Sequence, residues 1–477
     1  MTNGLLQPES ARAAVDLRTL AQTGTVHFVG IAGAGVSAIA ELVLRAGGRV
    51  SGCDTNPGAV GAALAALGAR VMRGHDPSHV EDAVAVVTTA AVPSTHPELE
   101  FARQRGLPVL KRAEALGSIV NRGHLIAVAG THGKTTTTAM TSAILAEAGL
   151  DPTAFVGGHV TGWGSGLRTG SDALFVVEAD EYDRSFLTLV PAAAAITSIE
   201  ADHLDIYGTP AAVHEAFRAF ADLIPEDGLL TACIDDAGAR HVLERYPHSL
   251  AYGTSEAAVL RAVDLVVEGR ATNCIVREHN TSLGTLRVNV PGIHNVRNAL
   301  AAFALARNAG ADFTAAQNAL GRFGGVARRM QELGTVGRIT IVDDYAHHPT
   351  EIAATLAAVR SAYPGRRIVA AFQPHLFTRT RDFTVEFGVA LAAADLVLVA
   401  DVYAAREMPI EGVSGALIAR AAERAGARRV RYIPHLEDVV HALVHKLQPG
   451  DLCVTMGAGN IDDAARLLLA RLREEAM

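Results

Sequence analysis

The chain has 477 residues, and its 42 Lys and Arg stand against 50 Asp and Glu, a formal net charge of −8. That length suggests about three domains, and an acidic balance with 5% aromatic residues and no basic block argues against nucleic acid as a partner. No stretch reaches the ~18 uninterrupted apolar residues of a membrane span, and residues 1–20 lack a basic segment followed by an apolar run, so the expectation is a cytoplasmic protein without a membrane partner.

The first segment alternates apolar strands and helices: a strand over 25–31, a helix over 36–46, then a strand over 49–52 that leads to Asp54. This βαβ pattern implies a parallel sheet with right-handed crossovers. Its turn carries Gly30, Gly33 and Gly35, which let backbone approach a pyrophosphate at a helix N-terminus, and Asp54 stands where a carboxylate would meet a ribose hydroxyl. The order is Gly-x-x-Gly-x-Gly rather than the dinucleotide fingerprint, so a nicotinamide cofactor is not favoured, and the glycines could serve only the tight turn. His75 and Thr88-Thr89-Ala90 follow short strands, where an open α/β sheet keeps ligand groups, although His75 could equally be a surface histidine. Over 111–123 the pattern loosens and charges cluster, the mark of a first domain boundary.

Residues 125–129 form an apolar run that breaks at Gly130 into Gly130-Thr131-His132-Gly133-Lys134-Thr135-Thr136 and then a helix. This is a strand, loop and helix for phosphate binding, with backbone N–H groups for the phosphates, Lys134 for their charge and the Thr135 hydroxyl for Mg2+. It is shorter than the usual loop, since Val128 stands where that pattern has glycine, and it could be read as an ordinary turn. The chain has only three lysines, Lys111, Lys134 and Lys446, and otherwise uses arginine. A lysine kept here points to a position that a compact ammonium fits and a planar guanidinium does not.

Two further apolar runs, 174–177 and 193–199, end in acid-rich turns, Glu178-Ala-Asp-Glu181-Tyr-Asp183 and Glu200-Ala-Asp202-His203-Leu-Asp205. Acids after buried strands near a phosphate loop are placed to hold Mg2+, and two such turns suggest two metal positions. A solvated acidic loop is the plain alternative, and His203 could cap a helix. Asn295 and Asn298 open an Ala-rich helix. They could read a purine edge, but helix capping is the better reading from the residues alone. A third domain starts near 324. Its strand over 339–342 ends in Asp343-Asp344-Tyr345-Ala-His347-His348-Pro349, and its strand over 368–371 in Gln373-Pro-His375 with Arg379 and Arg381 beyond. Arginines and histidines there suit an acidic substrate, although the paired aspartates could cap a helix. Cys53, Cys233, Cys274 and Cys453 form no C-x-x-C pair, which speaks against disulfides and a zinc cage.

Eight segments in order, GIAGAGVSAIA, AGTHGKTTT, EADEYDRSF, SIEADHLDIYG, PGIHNVRNALAA, ARRMQ, DDYAHHPTE and QPHLFTRTRDF, make the whole chain resemble the Mur ligases. These enzymes add amino acids to the UDP-muramyl precursor of peptidoglycan. The resemblance implies an α/β fold of three domains. A Rossmann-like domain at 1–120 would bind the UDP-sugar, a central P-loop ATPase-type domain with a mostly parallel sheet at 121–323 would bind ATP, and a Rossmann-like domain at 324–477 would bind the amino acid. It implies ATP and Mg2+ as cofactors, UDP-N-acetylmuramate and L-alanine as substrates, and a monomer or weak homodimer. Gly30, Gly33, Gly35, Asp54, His75 and Thr89 would contact the sugar nucleotide. The loop from Gly130 to Thr136 would hold the ATP phosphates, with Thr135, Glu178 and His203 at the metal. Asn295 and Asn298 would contact adenine, and Arg329 and Asp344 would reach the ATP. Tyr345, His348 and Arg379 would line the amino-acid site, with Lys134, His203, Arg329 and His348 as the catalytic groups and His348 as a base for the ammonium. Later ligases of the family use a carbamoylated lysine, which the gap between Lys134 and Lys446 excludes here. A P-loop kinase or motor ATPase and a nicotinamide oxidoreductase are the competing classes. Within the family the rival is a ligase that attaches a preformed tripeptide, whose relatives carry a longer segment than 184–191 offers.

Overall fold

The computed structural model describes residues 16–475 apart from Ala90 and Pro247. The reading of residues 1–15 as free of a leader, and of Ala90 as part of a ligand-bearing turn, lies outside the described residues. Two compact units emerge, one of residues up to 134 with 149–157 and 165–230, the other of 135–148, 158–164 and everything from 231 onward.

In the first unit, β1 (Thr25–Val29), β2 (Arg49–Asp54), β3 (Arg70–Arg73), β4 (Ala83–Thr88) and β5 (Val109–Lys111) form a sheet of order β3-β2-β1-β4-β5. All its pairs are parallel. Val26, Phe28, Val29, Ala85, Val86 and Val87 are wholly buried, which is why these strands read as apolar runs rather than alternations. Residues 112–120, read from sequence as a loosened boundary, are instead a helix, Arg112–Val120, whose buried face is Ala115, Leu116, Gly117, Ile119 and Val120. Its start is held by Glu114, which accepts from the Lys111 N–H at 2.7 Å. The charges there belong to an amphipathic helix.

The same unit holds β6 (His124–Ala129), β7 (Pro152–Phe155), β8 (Leu167–Arg168), β9 (Ser171–Glu178) and β10 (Ala193–Ile196), ordered β10-β6-β9-β7-β8. Only β7 and β8 pair antiparallel. Leu125 to Ala129 of β6 are all fully buried. Val128 of β6 lies in register with Glu178, so the first acid of the acid-rich turn is the last residue of β9, one strand from the loop.

β11 (Leu229–Cys233), which passes into the second unit at Thr231, and β12 (Leu250–Gly253), β13 (Leu260–Glu268), β14 (Ala271–Glu278) and β15 (Thr281–Val288) of that unit run in that order. The first pairs are parallel and the β13-β14-β15 pairs antiparallel. A six-stranded sheet follows, built from β16 (Gln331–Val336), β17 (Ile339–Asp344), β18 (Ile368–Phe372), β19 (Leu396–Val399), β20 (Val430–Tyr432) and β21 (Leu452–Met456) in the order β16-β17-β21-β18-β19-β20. Only β16 and β17 pair antiparallel. Apolar clusters cover both of its faces, one around Phe372 and Phe387, the other around Ile341, Leu398 and Leu468. Both faces being buried forces polar groups to the strand ends, where the candidate residues lie.

Candidate active site

Gly130 and Gly133 hold positive φ values of 139° and 82°. A Cβ on Gly130 would stand 2.0 Å from Thr197 Oγ1, so the turn after β6 closes only on glycine. The loop is tied to the segment after β10. The Thr131 N–H donates to the Ser198 carbonyl at 2.9 Å, the His132 N–H to Ser198 Oγ at 3.0 Å, and the Glu200 N–H to Thr131 Oγ1 at 2.9 Å. His132 Nε2 lies 3.5 Å from Glu200.

Lys134 opens the helix Lys134–Glu147, and its Nζ donates to Glu181 at 2.7 and 3.0 Å and to the Gly130 carbonyl at 2.5 Å. Burial works against the ammonium, yet the carboxylates of Glu181 and Asp180 outweigh it and hold Lys134 above its ordinary value. The lysine is thus kept charged and folded back over the loop. Glu181 was one acid among several in the sequence, and only the structure shows it to be the partner of Lys134. Thr135 and Thr136, in the first turn of this helix, are buried.

Glu178 accepts from the Gly157 N–H at 2.6 Å. His203 adopts left-handed backbone, φ 52°, before the short helix Leu204–Tyr207, and its side chain makes no capping bond. Its Nε2 lies 3.9 Å from Glu181 and 3.8 Å from Asp202, and its ring meets Tyr182 edge-on at 5.2 Å. His203 thus occupies the N-cap position that the capping reading gave it, through its backbone carbonyl, while its imidazole faces carboxylates.

At the first sheet, Gly30 has φ 74°, and the N–H groups of Gly30 and Ile31 donate to the Cys53 carbonyl at 2.9 and 3.1 Å. The Gly33 N–H donates to the Gly30 carbonyl at 3.1 Å. Gly35 lies against Arg112, whose side chain a Cβ would meet at 3.0 Å. Asp54 braces this turn, accepting from Ala32 N–H at 3.2 Å and from Asn56 N–H at 2.9 Å. Thr89 lies beside Gly30. His75 meets this turn through Cys53, its Nδ1 lying 3.2 Å from Cys53 Sγ.

In the second unit, Asn295 and Asn298 are buried on the helix Ile293–Asn308, whose N-cap is Gly292. Asn295 donates to the Pro291 carbonyl at 2.7 Å and accepts from Asn298 at 3.1 Å. The favoured capping reading of these residues is thus corrected; they form an inward amide pair. Asp344 ends β17 and caps no helix either, accepting from Met330 and Ala346 N–H groups at 2.7 and 2.8 Å. Burial pushes its carboxyl up to about 6 against the pull of Arg329. Arg328 and Arg329 both lie over the Tyr345 ring, at 5.0 and 5.2 Å. His348 is the N-cap of the helix Pro349–Ala362 and packs edge-on against Phe383 at 5.0 Å. Its Nδ1 accepts from Thr350 N–H at 3.4 Å. Rings run from Tyr345 to His347 to His375 to Tyr403 at 5.2, 6.1 and 5.8 Å, and Arg379 reaches His375 at 3.4 Å. The loops after β17, β18 and β19 so converge on Tyr345 and Arg379, with His347 and His375 between them as the sequence suggested, Tyr403 added by the structure, and His348 turned toward its helix.

Three family descriptions match the chain: "Mur ligase family, catalytic domain" at residues 25–124, "Mur ligase middle domain" at 128–306, and "Mur ligase, glutamate ligase domain" at 328–459. The chain belongs to the Mur ligase family. It is an α/β Mur ligase of three domains; the first family segment lies in the first compact unit, the last in the second, and the middle one contributes to both. The UDP-N-acetylmuramate–L-alanine ligase of Salinibacter ruber is 43% identical over 96% of this chain and 98% of its own length. That of Acidothermus cellulolyticus is 48% identical over 92% and 93%. Among solved structures, the UDP-N-acetylmuramate-alanine ligase MurC of Thermotoga maritima superposes with a TM-score of 0.80 at 28% identity, covering 95% of this chain and 100% of that one. A murein peptide ligase of Psychrobacter arcticus gives a TM-score of 0.68 at 26% identity, over 94% and 98%.

Proposed function

We infer that this Mur ligase joins L-alanine to the lactyl carboxylate of UDP-N-acetylmuramate at the expense of ATP, through an acyl phosphate, releasing ADP and phosphate. The observation that carries the reading is the match, at 43% and 48% identity over nearly the whole chain, to relatives of that activity. The tripeptide-attaching rival is disfavoured by the lower TM-score of the murein peptide ligase, 0.68 against 0.80. The domain limits we propose are 1–120, 121–323 and 324–477, and the protein is proposed to work in the cytoplasm as a monomer or weak homodimer.

Mg2+ suits the residues near the loop, because the Glu178 carboxylate stands at the end of β9 and the His203 imidazole is aimed at carboxylates rather than at its helix. Glu178, His203 and the Thr135 hydroxyl would hold it, and when bound it would spread the charge of the transferring phosphoryl group. The loop from Gly130 to Thr136 is assigned to the phosphate oxygens through its backbone N–H groups from Gly133 onward, since those of Thr131 and His132 donate to Ser198, and Lys134 exchanges Glu181 for the γ-phosphate. Asn295, Asn298, Arg329 and Asp344 are assigned to the ATP. Gly30, Gly33, Gly35, Asp54 and Thr89 are assigned to the UDP moiety, Tyr345 and Arg379 to the amino acid. Attack of the amine on the acyl phosphate forms the amide and expels phosphate. His348 remains our candidate for the ammonium proton; while Nδ1 accepts from the Thr350 N–H the neutral ring carries its proton on Nε2, so the lone pair that would act as base is that of Nδ1, once it gives up this contact.

A phosphate-release assay with ATP, UDP-N-acetylmuramate and a panel of amines tests the reading. Release should require all three ligands and be fastest with L-alanine. Turnover without the sugar nucleotide, or a preference for L-Ala-γ-D-Glu-meso-diaminopimelate over L-alanine, would overturn it.

A further inference from the structure

The first sheet carries a cluster for which the ligase reaction has no use. Glu98 is fully buried near the start of the helix Pro97–Gln104. Among the described residues its ion-pair partners are all histidines: His27, His75, His79 and His96. Both carboxylate oxygens lie against Cys53 Sγ, Oε1 at 3.2 Å. Oε1 accepts from His79 Nδ1 at 2.9 Å and from the Asp76 N–H at 3.0 Å. Oε2 faces Cys53 Sγ at 3.0 Å, His75 Nδ1 at 3.5 Å and His96 Nδ1 at 3.9 Å. Cys53 Sγ and His75 Nδ1 are themselves 3.2 Å apart, and the His75 and His96 rings meet edge-on at 4.7 Å. His96 Nδ1 is buried with no hydrogen-bond partner, which a native interior rarely leaves unmet.

These separations have the scale of a coordination shell. Bonds of about 2.0–2.3 Å around tetrahedral zinc put neighbouring donors about 3.3–3.7 Å apart; Cys53 to Glu98, Cys53 to His75, His75 to Glu98 and His96 to Glu98 run from 3.0 to 3.9 Å, and the His75, His96 and Glu98 donors all lie within 4.8 Å of one another. We propose that Cys53 Sγ, His75 Nδ1, Glu98 Oε2 and His96 Nδ1 bind one zinc-class divalent ion. Binding releases the Cys53 thiol proton to solvent and leaves a thiolate on the metal. The supporting contacts are already made: His79 and the Asp76 N–H fix Oε1, while His27, held through Nδ1 to Ser51 Oγ at 2.9 Å, presents Nε2 to Cys53 Sγ at 3.5 Å and can donate to the thiolate. A thiolate with imidazoles selects zinc over magnesium, so the site is chemically separate from the Mg2+ of phosphoryl transfer. It ties the end of β2, the turn after β3 and the start of the helix Pro97–Gln104 together, directly behind the Gly30 turn that hangs on the Cys53 carbonyl.

The test is a cobalt titration of the untagged full-length chain after treatment with a chelator. One equivalent of Co2+ should produce a thiolate-to-cobalt charge-transfer band that Zn2+ abolishes. The band should be absent from Cys53→Ser, unchanged in Cys233→Ser, and weakened at least about tenfold in affinity in His96→Asn. Zn2+ should also raise the melting temperature of the wild type and not that of His96→Asn, which keeps the site testable if Cys53→Ser does not fold. Absence of the band in the wild type, its persistence in Cys53→Ser, or equal affinity in His96→Asn would each overturn the proposal and leave a hydrogen-bonded network with His79 as the partner of Glu98.

Discussion

Lys134 and Glu181 show what a single pair is asked to do. The ammonium is buried, and two charge-assisted hydrogen bonds to Glu181 keep it protonated and aimed over the loop. Lys134→Ala should lower turnover at least about a hundredfold, the scale of losing one preorganised charge at a transferring group, while leaving affinity for the sugar nucleotide unchanged; unchanged turnover would remove the loop from the reaction. Lys134→Arg should be nearly as inactive, because a guanidinium cannot make the compact turn back to the Gly130 carbonyl. Glu181→Gln removes the hydrogen-bonded carboxylate of that ammonium, leaving Asp180, and should cost about 3 kcal/mol in urea denaturation, with less lost when nucleotide phosphates are present to replace the carboxylate. The value of Lys134 was legible because the chain has so few lysines. Glu181 was not, since nothing in Glu178-Ala-Asp-Glu181 says which carboxylate turns inward.

A second residue sets a pH dependence. Burial, with the cations Arg297 and Arg329 beside it and Glu351 opposing them, pulls the His294 imidazole down to about 4. Its folded value lies below its unfolded one, near 6.5, so between about pH 4 and 6.5 the unfolded chain binds more protons and stability rises with pH. The contribution is complete above pH 6.5 and is lost as the pH falls toward 4, with a slope of at most about 1.4 kcal/mol per pH unit for this proton. His294→Gln should flatten that part of a stability-pH profile. An identical slope in the variant would assign the acid sensitivity to other groups.

At the scale of elements, the strands over 25–31, 49–52, 125–129, 174–177, 193–199, 339–342 and 368–371 were legible because both faces of their sheets are covered, and each lies within a few residues of its observed span, whereas β5, β7, β11, β12 and β20, each five residues or fewer, were not read from the sequence. Nor were the strand ends legible. β9 extends to Glu178 and β2 to Asp54, since polar residues at a strand's carboxyl end stay in the ladder while facing the site. The helix Arg112–Val120 was missed because its charged first turn hides a short apolar face. The asparagines of the helix Ile293–Asn308 were misread because propensity favours caps, whereas here glycine makes the entry and the amides turn inward. Among these elements the turn after β6 is the least tolerant. Gly130→Ala combines a φ of 139° with a clash against Thr197 Oγ1. It should cost about 1–3 kcal/mol and abolish ATP-dependent phosphate release even where the fold survives; wild-type turnover would show that the loop relaxes freely.

For the whole molecule, the family segments and the packing units divide the chain differently, and that difference has a thermodynamic consequence. The family boundaries follow the sequence, whereas the chain changes unit at 134/135, 148/149, 157/158, 164/165 and 230/231. Each unit has its own apolar clusters, the first around Val29 and Val86, the second on both faces of the six-stranded sheet. Separate cores favour separate cooperative transitions, while repeated chain crossings work against them, because melting one unit frees the ends of segments held in the other. Five crossings are few beside the internal packing of two units of this size, so calorimetry should show a calorimetric enthalpy larger than the van't Hoff enthalpy. A single transition with equal enthalpies would mean that the crossings weld the units into one cooperative body.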